Sequence, residues 1–405
     1  MSEIRQISFH KASLGKDEIK EVVDCLKSGW LTTGARVRKF ETDFASYIGA
    51  KFAIALNSCT AALHLALEAI GLKENEIVIV PSMTFAATAE VVRYFNAIPV
   101  FVDCNEDDFC MSVDSLKETV EKIIMGKKLK GVPDKHGDIR AIIPVHFGGA
   151  PANIPEIAKI AKTINAKLIE DCAHACPAFY KNAVGKFVKA GTEADIACYS
   201  FYANKTITTG EGGMAVCNNP EYDERIRIMS LHGISKDAWK RFTASGSWRY
   251  EIIAPGYKYN MPDIMAAIGI HQLKKADVFM EKRAKIAKLY NLMLSDLSDI
   301  ITLPYEREGI ISSWHLYPIR IREGKNKVNR DSFIEKLKKN GIITSVHYIP
   351  LHMHKYYKEK YFFSDGDFPV SEKLSRECVS LPIYPDLRKT DLDYIVKTIK
   401  RVLRG

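Results

Sequence analysis

Six short apolar runs, at 52–56, 77–80, 98–102, 139–146, 166–170 and 195–201, punctuate the first half of the chain, and helical patterns fill most of the intervals between them. Runs of this length that lack polar alternation suit strands buried on both faces. Strands joined through helices pair in parallel, so the pattern constrains this half to an α/β domain with a largely parallel sheet. Such a sheet binds ligands outside the carboxyl ends of its strands. The residues that follow each run are therefore where chemistry is to be sought.

The spacing predicts helices near 17–28, 36–48, 60–70, 84–94, 114–124, 155–164 and 220–231. The turn-rich segment Pro255–Met261 ends this region, and Pro262 and Asp263 suit the start of a long helix running to about Leu294. Strands at 314–321 and 342–347 follow, with helices at 330–339 and 390–403. The expected division is a large domain at 1–260, including an N-terminal segment, and a linking helix with a smaller α+β domain at 261–405.

Three of the turns carry suitable chemistry. The run ending at Tyr202 delivers Lys205 into a glycine-ended turn, Thr206 to Gly213, and a second strand-like run follows at Met214–Cys217. A lysine desolvated at a strand end has a lowered pKa, which frees its neutral amine to attack a carbonyl. The run Leu168–Ile169 ends in Glu170-Asp171-Cys172-Ala173-His174. A carboxylate placed there can pair with a protonated pyridine nitrogen, and His174 is near enough to orient it or touch a cofactor ring. After the run Phe52–Leu56, Asn57-Ser58-Cys59-Thr60 leads into an Ala- and Leu-rich helix. Hydroxyls beside unpaired helix N–H groups can hold a phosphate, with Ser200 as a further hydroxyl. Ordinary N-capping explains the same residues, so this turn gains weight only beside the other two.

Composition removes other classes. A charged fraction of 26% and hydrophobic fraction of 47% match a soluble globular protein. The net charge of +9 carries no basic block interleaved with aromatics; Lys336, Lys338 and Lys339 read as a solvated helix face, so no nucleic-acid partner is expected. Nine irregularly spaced cysteines argue against a disulfide framework and for a reducing compartment. Cys172, His174 and Cys176 lack a second ligand cluster, so no metal is expected, and His347, His352 and His354 suit loop contacts to substrate equally well. Met1–Lys16 has no apolar core and no run reaches the length of a membrane span, so a cytoplasmic protein without membrane partners is expected. Gly210, Gly212 and Gly213 open no helix and precede no Gly-Lys-Ser/Thr, which excludes dinucleotide and P-loop fingerprints.

Six segments in order carry a family resemblance: Ser28–Gly34, Asn57–Leu63, Pro81–Phe85, Glu170–His174, Ser200–Gly213 and Pro255–Met261. Together they resemble the DegT/StrS group of sugar-nucleotide aminotransferases over nearly the whole chain. The resemblance implies the type-I fold of enzymes that use pyridoxal 5'-phosphate. It assigns Lys205 as the Schiff-base lysine, Asp171 as the partner of the pyridine nitrogen, His174 as its neighbour, and Phe85 as the aromatic stacked on the ring. Ser58, Thr60, Ala61 and Ser200 match phosphate-binding positions. Asn260 matches an asparagine that reaches the phosphate from a partner subunit, implying a homodimer with shared active sites.

Trp30, Thr32, His232, His347 and Tyr348 are expected on the substrate side. Trp30–Gly34, Val145–Ala152, Tyr257–Asn260 and His174 are most similar to the branch typified by UDP-4-amino-4-deoxy-L-arabinose–oxoglutarate aminotransferases. Phe85, where that branch carries tryptophan, and Asn204-Lys205-Thr206, where relatives read lysine then asparagine, depart from it. The implied reaction moves an amino group from L-glutamate to a nucleotide-linked keto sugar, giving an amino-sugar nucleotide for surface glycans. A dehydratase branch replaces the lysine by histidine, which Lys205 argues against. A non-catalytic cofactor-binding regulator would need a DNA-binding element that the chain lacks.

Overall fold

In the computed structural model, which describes residues 5–235, 250–325 and 328–404, the apolar runs become one central sheet. Its strands are β1 (Phe52–Leu56), β2 (Ile77–Pro81), β3 (Ile98–Val102), β4 (Ile139–Ile142) and β5 (Lys167–Asp171). After a small hairpin of β6 (Phe179–Lys181) and β7 (Phe187–Lys189), β8 (Ile196–Ser200) and β9 (Gly213–Cys217) complete it. The order is β1-β9-β8-β5-β4-β2-β3. Only β9 runs antiparallel to its neighbours, β1 and β8. The other adjacent pairs are parallel.

The two-residue period of a strand sends alternate side chains to opposite faces, and here each face has its own core. Ala53, Ala55, Ile77 and Ile79 join one cluster, while Ile54, Leu56, Val78 and Val80 join the other. The first is covered by α2 (Ala35–Ile48), whose Phe40 and Phe44 are fully buried, while α1 (Lys16–Ser28) packs on the helix that begins at Asp263. The second is covered by α3 (Cys59–Ala69), α4 (Ala87–Arg93) and, after α5 (Val113–Ile124) and α6 (Ile154–Thr163) on the first face, by α7 (Pro220–Ser230). With both faces buried, polar function is confined to the strand ends.

The helix expected from Pro262 to Leu294 is two helices, α8 (Asp263–Leu273) and α9 (Ala276–Leu294). The break falls at Lys275, whose ammonium is drawn onto buried Glu18 at 2.6 Å. On one side Ala266 and Ile270 pack into the first core; on the other Ile286, Tyr290 and Leu294 pack into a third cluster with the C-terminal elements. A straight helix could not face both. The third cluster surrounds a three-stranded sheet of β10 (Ile301–Thr302), β12 (Tyr317–Ile321) and β13 (Cys378–Leu381). Between β10 and β12, β11 (Ile310–Ile311) extends the β6–β7 hairpin. Helix α10 (Arg330–Lys339) and the closing helix Lys389–Arg404 cover this sheet, and the three α10 lysines are exposed.

Two strand expectations are corrected. Residues 342–347 form no strand; single bridges tie Ile342 to Ile7 and Ser345 to Ser380, because the segment crosses between elements instead of running along one. The 314–321 strand begins only at Tyr317, since Trp314 has a positive φ of 49°. Helix α4 likewise starts at Ala87, leaving Thr84 and Phe85 in the turn after β2.

Candidate active site

The carboxyl ends of β1, β2, β5 and β8 open on one cavity of about 340 Å³. Ser58, Thr60, Phe85, Asp171, His174, Ser200, Lys205, His347 and Tyr348 all line it, so most of the expected site residues meet in one place. Its wall also includes Cys59, Thr88, Asn204 and His315, which the strand-end pattern does not pick out.

Ser58 caps α3: its hydroxyl oxygen accepts the Ala61 N–H at 3.0 Å. That leaves the N–H groups of Cys59 and Thr60, which have no intrahelical acceptors, at the positive end of the helix dipole. Ala61 itself is buried and contributes through its backbone only. Strand β9 runs against this turn, with Gly213 paired to Leu56. A Cβ on Gly213 would lie 2.3 Å from the Ser58 carbonyl carbon, so only glycine admits the approach.

Asp171 ends β5 and is buried. Its carboxylate accepts the Thr88 hydroxyl at 3.0 Å and the Ala173 N–H at 3.1 Å, and no cation pairs with it among the described residues. Burial is the largest influence and raises its pKa, partly offset by these two donors. A buried carboxylate held only by neutral donors is a receptor for a cation. Beneath it, His146 and Glu170 form a fully buried pair at 2.9 Å. Since His146 Nδ1 accepts the Ala152 N–H, the neutral ring carries its proton on Nε2 and donates to Glu170, which also accepts the Gly191 N–H. Cys172 is close enough to complete a ligand trio with them, different from the Cys172, His174 and Cys176 grouping of the sequence.

Lys205 sits in the turn after β8, its N–H donated to the Tyr202 carbonyl. The turn is closed by Thr209 N–H to the Phe201 carbonyl and Phe201 N–H to the Gly212 carbonyl, and it is tied to α8 by Thr208 N–H to Gln272. The Nζ makes no hydrogen bond or ion pair among the described residues. Burial pulls its pKa from 10.5 down to about 8, against the weaker pull of the Cys59 thiol and Asp171. Near neutral pH an appreciable share of this amine is unprotonated and nucleophilic.

His174 is held on both ring nitrogens. Nδ1 accepts the Gly148 N–H at 3.2 Å, so the neutral ring donates from Nε2 to the Tyr348 oxygen, also 3.2 Å away. The Tyr348 hydroxyl proton is then free to point elsewhere. Burial, reinforced by Lys205, keeps His174 well below the ordinary histidine range and brings His347 to about 4. Phe85 stands at the rim, 62% exposed, with its ring 6.1 Å from that of Tyr348. A second planar ring has room against it.

Four expected residues lie elsewhere. Trp30, Thr32 and Asn260 line a separate cavity of about 580 Å³ beside α2, α7 and β1, because Thr33 bridges the Asn260 amide and the Met261 carbonyl and so ties the N-terminal segment there. Asn260 Oδ1 is sealed from solvent without a partner among the described residues. His232 lines neither cavity; it is an exposed turn residue at φ 58° whose N–H bonds to the Tyr257 carbonyl. His352, a further tempting histidine, is a buried structural link between Ser82 and Glu372.

A lysine, a buried carboxylate and a helix N-terminus thus meet at the strand ends of one sheet. Residues 12–400 match the model of the DegT/DnrJ/EryC1/StrS aminotransferase family, and the chain belongs to that family. It is 38% identical over 393 residues to the spore coat polysaccharide biosynthesis protein SpsC of Bacillus subtilis, covering 97% of this chain and 96% of that one. Among solved structures, a putative sugar aminotransferase of Streptococcus pneumoniae, seen in PLP and PMP forms, superposes with a TM-score of 0.85 at 31% identity over 98% of each chain. Helicobacter pylori PseC, an aminotransferase of pseudoaminic acid biosynthesis, gives 0.86 at 26% identity over 99% of this chain and all of that one. The family is dependent on pyridoxal phosphate, and the residues in hand fit it: an unpaired buried carboxylate for a pyridinium, a free amine for the aldehyde, and a helix N-terminus for the phosphate. No helix of the described residues is long and apolar enough to cross a membrane.

Proposed function

We propose that this sugar aminotransferase acts on a nucleotide-linked keto sugar, a UDP-4-keto sugar by preference, with L-glutamate as amino donor. The observation that carries the reading is Lys205, an unpaired amine with its pKa lowered to about 8 in the same cavity as buried Asp171. Bound pyridoxal phosphate supplies a carbonyl for the amine and a ring that delocalises negative charge from the donor α-carbon. In this scheme Asp171 holds the proton on the pyridine nitrogen, which it can do because Thr88 and Ala173 fix its two oxygens. Lys205 Nζ would take the proton from the donor α-carbon in the first half-reaction and deliver one to the sugar carbon in the second. Ser58, Thr60 and Ser200 orient the phosphate, Phe85 covers the ring, and His174 with Tyr348 positions the substrate.

The product, an amino-sugar nucleotide, would serve polysaccharide assembly, a reading supported by the likeness to SpsC. We place Asn260, with Trp30 and Thr32, at the active site of a partner subunit in a homodimer. The position of all three on one cavity apart from Lys205 supports that placement. Dehydration of the sugar is disfavoured, since a lysine at 205 is suited to exchange amines.

The test is a pair of half-reactions on the cofactor-loaded protein. L-glutamate should bleach the visible band of the cofactor, and one member of a panel of nucleotide keto sugars should restore it. No bleaching with any amino acid would overturn the reading; loss of water from a nucleotide keto sugar, with ammonia released and no amino sugar formed, would favour dehydration.

A further inference from the structure

The Lys205 cavity holds more imidazole than cofactor binding accounts for. His174, His315 and His347 line it together, the first two with ring centres 4.4 Å apart. His174 is engaged by Gly148 and Tyr348, and His347 by the Ser380 hydroxyl at 2.9 Å. His315 is different. It is 5% exposed, neither ring nitrogen has a hydrogen-bond partner among the described residues, and Nδ1 is sealed from solvent. Leaving buried polar atoms unpaired is costly, and since Nδ1 is sealed within the protein, Nε2 at the cavity wall is the atom that a ligand can pair.

The surroundings of His315 indicate what that ligand is. Arg283 of α9 is fully buried and pairs with no carboxylate among the described residues. One of its Nη atoms donates to the carbonyls of Trp314, His315 and Ile383, while Nε and the other Nη have no partner. Besides burial, the leading influences on His315 are His174, Lys205, Arg283 and His347, all cations or potential cations, while Asp171 and Glu211 are the carboxylates on the same cavity wall. His10, its Nε2 also unpartnered, stands within the influence of Arg283 and Lys205. Burial and this positive field keep His315 neutral, well below the ordinary histidine range. A buried neutral imidazole in a positive field is poised to accept a proton when an anion arrives.

We infer that His315 is the receptor for the carboxylate of the amino donor, backed by His174, His347 and the Arg283 guanidinium. The inference rests on the amino-transfer reading and deepens it by assigning the donor side of the cavity. It takes a carboxylate of amino-acid size, and arrival of the carboxylate is coupled to uptake of a proton from solvent by the imidazole cluster. The gain is a charge-assisted hydrogen bond in a dry site. Because the bound state holds the extra proton, carboxylate affinity falls as pH rises through neutrality.

The experiment uses succinate, a dicarboxylate with no amino group, titrated calorimetrically into the cofactor-loaded protein in two buffers of different ionisation enthalpy. The expected result is uptake of about one proton per succinate. His315→Asn should weaken succinate about tenfold or more and remove the uptake, with the visible spectrum of the bound cofactor unchanged. Equal affinity in wild type and variant, or no proton uptake in wild type, would overturn the inference. If His315→Asn fails to load cofactor, His315→Gln and the wild-type proton count decide between the same two results. The two readings fail separately. Succinate binding with proton uptake, but no bleaching by L-glutamate, would remove amino transfer and leave the carboxylate site; bleaching with an unaltered His315→Asn titration would do the reverse.

Discussion

At position 205 the chain keeps a cation where solvent stabilises it poorly. The folded-state pKa, about 8, lies below the unfolded value of 10.5, so between these pH values the unfolded chain binds more protons and stability rises with pH. Below about pH 8 the full penalty applies. Lys205→Met should therefore stabilise the cofactor-free protein near neutral pH by on the order of 1–3 kcal/mol, a range that allows for the residual exposure of the side chain. The difference should shrink toward pH 10.5. Urea unfolding of both proteins at pH 7 and pH 10 checks this, and equal stability at pH 7 would show that the amine is not desolvated. The same substitution should abolish turnover. Asp171 was legible because it ends an apolar run at a strand terminus, and Lys205 because it falls in the polar turn that follows one. His315 was not, since it follows Trp314 in an irregular segment and reaches the cavity only through the packing of α9 and the β12 sheet.

The elements explain how these residues are held in register. Strand β9 passes so close to the Ser58 turn that Gly213 has no room for a side chain. Gly213→Ala should push β9 off the turn, destabilise the fold by about 1–3 kcal/mol and weaken cofactor binding together with stability. Ser58→Ala removes the α3 cap and should cost about 1 kcal/mol without moving β9. Chemical denaturation with and without cofactor separates the two effects. The sequence pattern located nearly every strand of the central sheet, because burial on both faces leaves an unbroken apolar run. It overextended the helix after Pro262, since the break at Lys275 depends on Glu18, more than 200 residues earlier in the chain. It also made a strand of 342–347, where the β-branched residues Ile342, Ile343, Thr344 and Val346 suggest one but the segment is paired only at isolated bridges.

For the whole molecule, the placement of Asn260 matters most. In one chain it lies beside Trp30 and Thr32 on the larger cavity, apart from Lys205. A single-chain site would have no use for it, whereas the proposed homodimer would carry it to the phosphate of the neighbouring subunit. Two inactive variants, Lys205→Ala and Asn260→Ala, should then complement one another: subunits mixed, unfolded and refolded together should regain turnover, because each mixed dimer holds one complete site. Sedimentation should give twice the 45.6 kDa chain mass. Monomers, or mixed samples as inactive as the parents, would contradict shared sites. This level of organisation was accessible in the sequence through family resemblance alone, since no pattern within one chain marks a residue that acts on another.

The amino-transfer reading depends on Lys205 being the point of covalent attachment. Reducing the cofactor-loaded protein with borohydride, digesting it and weighing the peptides measures that attachment directly. The account predicts one modified peptide, containing Lys205 and heavier by one reduced cofactor; attachment to a different lysine, or to none, would contradict it.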